Sequence, residues 1–233
     1  MQGFFYKEPY EEEGRKILEM NILPGKYCVF DCIFCPVSRQ LHHEKTDLVR
    51  SFGSLTEALA ELDQKLDTVK PDLVFINSLG EAFLHAGLAE VIERIHEREL
   101  PIRLLSNGYL YGDDRCAGLA RQCEEVIGEL KMGRDEAFLK AQRPLHGYTV
   151  EQHLANMVAF RKKYKGIFRL EITLVKGYSD DETSLAFFTQ AVQQLHPDVL
   201  QVVTPEPPFE EKLGVAPEFL AAAQKRFQAV LAQ

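Results

Sequence analysis

The run Phe168-Arg169-Leu170-Glu171-Ile172-Thr173-Leu174-Val175 alternates polar and apolar side chains, with Arg169, Glu171 and Thr173 set between Phe168, Leu170, Ile172 and Leu174. A period of two sends successive side chains to opposite faces of a β-strand. A parallel strand covered by helices on both sides reads as apolar throughout, so a polar face needs a reason. Two reasons are available: a sheet edge with one wet face, or an inner face that lines a ligand cavity in a curled sheet.

Five further β-rich runs flank this one: Ile17–Leu23, Asp72–Asn77, Ile102–Ser106, Val126–Met132 and Val199–Val203. Helical patterns separate them. Leu55, Leu59, Leu62, Leu66 and Val69 recur at three- and four-residue steps, as do Leu88, Val91, Ile92 and Ile95, which is the apolar stripe of a helix laid on a sheet. Capping boxes at Ser54 with Glu57, Thr149 with Gln152 and Ser179 with Glu182 predict three helix starts. A last helix is expected over Pro217–Leu231. Six consecutive βα units imply a parallel sheet with right-handed crossovers, either open and doubly wound or closed into a partial (βα)6 TIM-like barrel. Periodicity alone does not choose between them; the partial barrel is the expectation, and in it Glu171 and Thr173 face the interior. In both architectures ligands gather at the carboxyl ends of the strands.

With 233 residues, 45% hydrophobic and 27% charged, the chain has the make-up of one globular domain spanning residues 1–233, with residues 1–15 a surface arm or an extra strand. Its apolar runs are too short to span a bilayer, and the expected location is the cytoplasm. The formal charge of -8 disfavours a nucleic-acid partner such as tRNA, whose phosphates are met by clustered Lys and Arg. Five cysteines are an odd number, and three of them crowd into one loop, so metal or redox chemistry explains them better than disulfides.

That loop, Pro24-Gly25-Lys26-Tyr27-Cys28-Val29-Phe30-Asp31-Cys32-Ile33-Phe34-Cys35-Pro36, follows the first strand and spaces its thiols C-x3-C-x2-C. Three thiolates grip three irons of a 4Fe-4S cubane and leave the fourth iron open to another ligand. A structural zinc site with His42 or His43 as fourth ligand is the metal alternative, and inert buried thiols the bland one. Cys116 and Cys123 are expected to be structural thiols, with an auxiliary metal site as the alternative. His85, His96, His146, His153 and His196 show no ligand spacing and are expected at the surface or at caps.

The cysteine spacing, with Phe34 just before Cys35, resembles the signature of the radical S-adenosylmethionine superfamily. Asn77-Ser78-Leu79-Gly80-Glu81 resembles its Gly-Glu motif, and Ser106-Asn107-Gly108 its ribose-binding segment. Glu171-Ile172-Thr173-Leu174-Val175-Lys176-Gly177, Thr204-Pro205-Glu206-Pro207-Pro208 and Arg143-Pro144 are similar to motifs of one branch, the tRNA wyosine-base synthases and their bacterial relatives. The resemblance implies a 4Fe-4S cluster on Cys28, Cys32 and Cys35, and S-adenosylmethionine as the second cofactor. It places the methionine amino group at Gly80 and Glu81, the ribose at Ser106, Asn107 and Gly108, and the adenine beside Phe34. Lys131 then serves the cofactor carboxylate or is simply solvated, and Glu171 and Thr173 line the cavity. A reductant such as a ferredoxin or flavodoxin is the implied partner, and hydrogen-atom abstraction from tRNA or a small molecule the implied reaction. Wyosine synthases carry further cysteines upstream, whereas no cysteine precedes Cys28 here. An activase that installs a glycyl radical on a protein partner, and a non-catalytic iron-sulfur electron carrier or sensor, are the competing expectations.

Overall fold

The structure is a computed structural model that describes residues 3–37 and 45–232. Six parallel strands form the body of the sheet: β3 (Arg15–Asn21), β4 (Leu73–Ile76), β5 (Ile102–Ser106), β6 (Glu125–Leu130), β7 (Ile167–Thr173) and β8 (Val199–Val203), hydrogen-bonded in that order. Two short strands, β1 (Phe5–Tyr6) and β2 (Tyr10–Glu12), pair antiparallel with the outer edge of β3, opposite Met20–Asn21 and Arg15–Ile17. Helices α1 (Leu55–Val69), α2 (Leu88–His96), α3 (Asp114–Ala120), α5 (Val150–Arg161), α6 (Glu182–Leu195) and α8 (Pro217–Leu231) return the chain between strands or close it, with the short α4 (Asp135–Ala137) and α7 (Glu210–Leu213) inserted. Each parallel strand is thus followed by a helix, as the alternation of periods predicts.

The outer strand residues Leu18, Met20, Val74, Leu104, Val126, Leu170 and Ile172 are buried in one apolar cluster with Leu62, Leu66, Val91, Ile95, Met157, Phe188 and Val192 of the helices. Two predicted caps hold: Ser54 Oγ accepts from the Glu57 amide at 3.4 Å and Thr149 Oγ1 from the Gln152 amide at 3.1 Å. The third is corrected. α6 is capped by Asp181, which accepts from the Ser184 amide at 2.9 Å, while Ser179 Oγ is taken by the Val175 amide at 2.9 Å in the turn that leaves β7.

The inner face encloses a cavity of about 1080 Å³ lined by Glu19 of β3, Phe75 of β4, Leu105 of β5, Ile127 and Glu129 of β6, Glu171 of β7 and Gln201 of β8. All six parallel strands contribute to it, as only a curled sheet allows; the architecture is the partial TIM-like barrel. β7 lies between β6 and β8, with Glu171 opposite Glu129 and Gln201, so its polar face belongs to the lumen and to no wet edge. The lumen is layered. At its floor the buried Glu125 receives Arg15 at 2.6 Å, Arg103 at 2.7 Å and Arg169 at 2.9 Å. Glu12 and Glu13, where β2 turns into β3, meet Arg103 and Arg169 from the other side. Three guanidinium groups thus face three carboxylates, which is how charge is kept inside a fold at acceptable cost. Above the floor lies an apolar layer of Ile17, Leu73, Phe75, Leu105 and Ile127. The polar end, toward the cysteine loop, holds Glu19, Asn77, Asn107, Glu129, Lys131, Glu171 and Thr173. Among the described residues no helix is long and apolar enough to cross a membrane.

Candidate cluster and cofactor site

Cys28, Cys32 and Cys35 line the polar end of the lumen, each partly buried and none in a disulfide. Their loop has no regular structure of its own and borrows hydrogen bonds from its neighbours. The Tyr27 amide donates to Leu79 O at 3.1 Å and the Glu81 amide returns to Tyr27 O at 2.9 Å, which fastens the loop to the end of β4. On the other side the Ile33 amide donates to Ala141 O at 2.8 Å and the Asp31 amide to Gln142 O at 3.0 Å. These acceptors belong to a π-helical turn, Phe138–Gln142, closed by a bond from the Arg143 amide to Phe138 O at 2.9 Å. Such one-residue expansions of a helix re-aim side chains and recur at functional sites. Val29, Phe30 and Phe34 pack with Tyr109, Met132 and Phe138 in an apolar cluster that Cys28 and Cys32 abut. Burial therefore pushes the Cys28 thiol well up, helped by Glu81, and the Cys32 thiol up to about 12. Without a metal these thiols hold their protons; a bound metal takes the thiolate and releases the proton.

Gly80 is the closest point between the loop and the second βα unit. Its φ is +137°, and a Cβ there would stand 2.1 Å from Tyr27 O, so only glycine fits. Glu81 is fully buried and lines no part of the lumen. Its carboxylate accepts from Ser106 Oγ at 3.0 Å, the Asn107 amide at 3.1 Å and the Phe83 amide at 3.4 Å. Burial raises its pKa to about 7 against the pull of those donors. Ser106, also fully buried, uses its hydroxyl oxygen to accept from the Gly108 amide at 3.1 Å. Gly108, at φ +87°, is packed against Met157 and does not reach the lumen. Of the predicted ribose segment only Asn107 does so, with Nδ2 3.8 Å from Cys28 Sγ and Oδ1 held by the Tyr109 amide at 3.0 Å. Glu81, Ser106 and Gly108 thus form the brace that sets Gly80 and Asn107 at the cavity wall.

Lys131 follows β6 and reaches into the lumen, its Nζ 2.9 Å from Glu129 and 5.7 Å from the centre of the Phe34 ring. Burial opposes its charge, but Glu129 and Glu171 outweigh it and hold the pKa above the usual lysine value, so it is a retained cation rather than a solvated surface lysine. Burial, with Glu129 next, raises the Glu171 carboxyl to about 7; Thr173 Oγ1 lies 3.5 Å away. Cys116 and Cys123 are buried in the helix-side cluster and line no part of this cavity. His42 and His43 lie outside the described residues. His153 corrects its expectation: it is buried beneath the strand-end turn, Nε2 donating to Asn107 O at 2.8 Å, and burial lowers its pKa to about 4. Arg143 holds a loop, reaching Asp31 at 3.4 Å.

Residues 22–188 match the Radical SAM superfamily, well over half of the chain. The chain belongs to the radical SAM superfamily. A relative, UPF0026 protein MJ1312 of Methanocaldococcus jannaschii, is 25% identical over 200 residues, 84% of this chain and 62% of its own length; the chain spans less than two thirds of that protein. Among solved structures, TYW1 with a lysine-pyruvate adduct bound superposes with a TM-score of 0.67 at 16% identity, covering 91% of this chain and 73% of TYW1. A radical SAM methyltransferase from Sphaerobacter thermophilus gives 0.64 at 15% identity, covering 95% of this chain and 66% of that one. At these identities the likeness shows the fold.

Radical SAM enzymes use a 4Fe-4S cluster and S-adenosylmethionine, and the residues present fit the cluster. Three thiols share one cavity wall, an amide N–H aims at one of them, and no other described cysteine competes. Among the described residues no three His, Cys, Asp or Glu side chains converge tightly enough for a single metal ion; the corner irons of a cubane stand apart and ask for less convergence. Sequence reasoning missed Glu129, Gln142 and His153 as site neighbours. Glu129 was within reach, because Glu125, Ile127, Glu129 and Lys131 repeat the alternation seen in β7. Nothing in the apolar pattern marks the π turn that delivers Gln142.

Proposed function

We propose that this radical SAM enzyme cleaves S-adenosylmethionine at a cluster held by Cys28, Cys32 and Cys35 and abstracts a hydrogen atom from a substrate in the same lumen. The observation that carries the reading is the continuity of one cavity from the three thiols to Glu171 and Thr173. When bound, the cluster supplies the electron that splits the sulfonium into methionine and a 5'-deoxyadenosyl radical. The chain's own part is to hold and orient. Asn107 donates toward Cys28 Sγ, and such N–H···S contacts tune the potential of a cluster. Lys131 presents a fixed cation for the cofactor carboxylate, and Phe34 an apolar surface for the adenine. Gly80 brings backbone rather than side chain to the wall, where it receives the amino group. Glu81 holds Asn107 and Ser106 in place from behind the cavity wall. The apolar cluster behind the loop keeps water from that side of the thiols. A low-potential ferredoxin or flavodoxin is the proposed electron source.

The test is anaerobic reconstitution with iron and sulfide, followed by S-adenosylmethionine and a strong reductant. 5'-Deoxyadenosine is the expected product, with absorbance near that of an intact cluster. Cys28→Ala, Cys32→Ala and Cys35→Ala each lose both; Cys116→Ala and Cys123→Ala keep both. An intact cluster that forms no 5'-deoxyadenosine would leave an electron carrier or sensor as the better reading.

A further inference from the structure

We infer that the substrate held in this lumen presents a cationic group rich in N–H donors to the acceptors Glu171 and Gln142. The inference rests on the proposed function and concerns the second half of the reaction, after cofactor cleavage. Above the apolar layer the lumen is lined by four carboxylates, Glu19, Glu129, Glu171 and Glu206. Glu19 is satisfied, accepting from Asn77 at 2.8 Å and Tyr10 at 3.2 Å and pairing with Lys7 at 2.6 Å. Glu129 holds Lys131 at 2.9 Å. Glu171 is mostly buried, with no described Lys or Arg nitrogen at ion-pair distance and only Thr173 Oγ1 beside it at 3.5 Å. The charges around it are Glu129 and Glu206, which repel, and Lys131, which attracts but makes its ion pair with Glu129 at 2.9 Å.

The second, independent observation is Gln142. Only 1% exposed, it lines the same cavity, and among the described residues its Oε1 has no hydrogen-bond partner. Buried acceptors are nearly always paired, and an exception inside a cavity marks the place of an absent donor. The π turn holds Gln142 in place by its backbone, through the bond from the Asp31 amide. An acceptor with no described donor and a carboxylate with no described cation at ion-pair distance ask for the same chemistry: an ammonium, guanidinium or similarly protonated amine. Glu206, exposed at the mouth after β8, extends the same sign outward, which repels a polyphosphate chain.

S-adenosylmethionine is itself a cation, so the test is run with the reconstituted enzyme saturated in it and no reductant present. Agmatine is titrated calorimetrically, against glutarate and a short RNA stem-loop. Agmatine is expected to bind and the two anions not to. Glu171→Gln and Gln142→Leu should each weaken agmatine by about tenfold or more, and Glu206→Gln, at an exposed position where folding is not at stake, by a smaller factor. The affinity for S-adenosylmethionine should stay within about twofold throughout. Tighter binding of glutarate or the stem-loop, unchanged agmatine binding in Glu171→Gln, or an equal loss of S-adenosylmethionine binding there would each overturn the inference. Failure of the proposed function shows separately, as absence of 5'-deoxyadenosine once reductant is added to an enzyme that binds both ligands.

Discussion

Gly80 sits where two βα units touch, and its missing side chain is what lets them touch. A methyl group there meets the Tyr27 carbonyl at 2.1 Å, on a backbone at φ +137° that other residues avoid. Gly80→Ala is expected to cost about 3 kcal/mol or more, read from urea unfolding, and to lower iron uptake beyond what that loss explains, since the displaced loop carries Tyr27 and with it Cys28. The glycine was legible in the sequence because it stands in a motif at a strand end. The other residue of that motif, Glu81, was read as pairing with the cofactor's ammonium, and the structure sets it behind the cavity wall. A motif resemblance names the residue but not its hydrogen bonds: the carboxylate accepts from Ser106 and Asn107, at a strand end about 25 residues later in the chain. Burial of this kind is a tertiary fact with no local signature.

The elements themselves were readable. A period of two over short β-rich runs and a period near four over the stretches between them located all six parallel strands, with ends displaced by one or two residues, as at Val126–Met132 against the observed Glu125–Leu130. The Phe138–Gln142 turn was invisible, because one added residue in a helix changes aim without changing composition. Its contribution to the site is specific: Ala141 O and Gln142 O receive the amides of the cysteine loop. Removing the exposed Leu139 should convert the π turn to ordinary helix and rotate those carbonyls by about 100°. The expected outcome is near-normal helical circular dichroism with most of the cluster absorbance lost. Retention of the cluster in that deletion would show that the loop stands without the turn.

At the scale of the whole molecule, the lumen is closed at one end by charge and furnished at the other for chemistry. Glu125 compensates three arginines at the floor. Glu125→Ala leaves three arginines to share Glu12 and Glu13 and should cost about 3–5 kcal/mol by thermal or denaturant unfolding. Glu13→Ala, on a half-exposed partner of the same network, should cost under about 1 kcal/mol. Alternation in β7 announced this polar interior, but it did not reveal that Arg169 belongs to the floor and Glu171 to the opposite end, a division set by the apolar layer of Ile17, Leu73 and Phe75. The cysteine loop has a further consequence, one of timing. Its three thiols are made before the groups that seat them, Leu79 and Gly80, then Ala141, Gln142 and Leu145. Until Leu145 is made the chain offers iron three thiols without their full seat, so a finished seat exists only once the barrel has assembled through its fourth parallel strand.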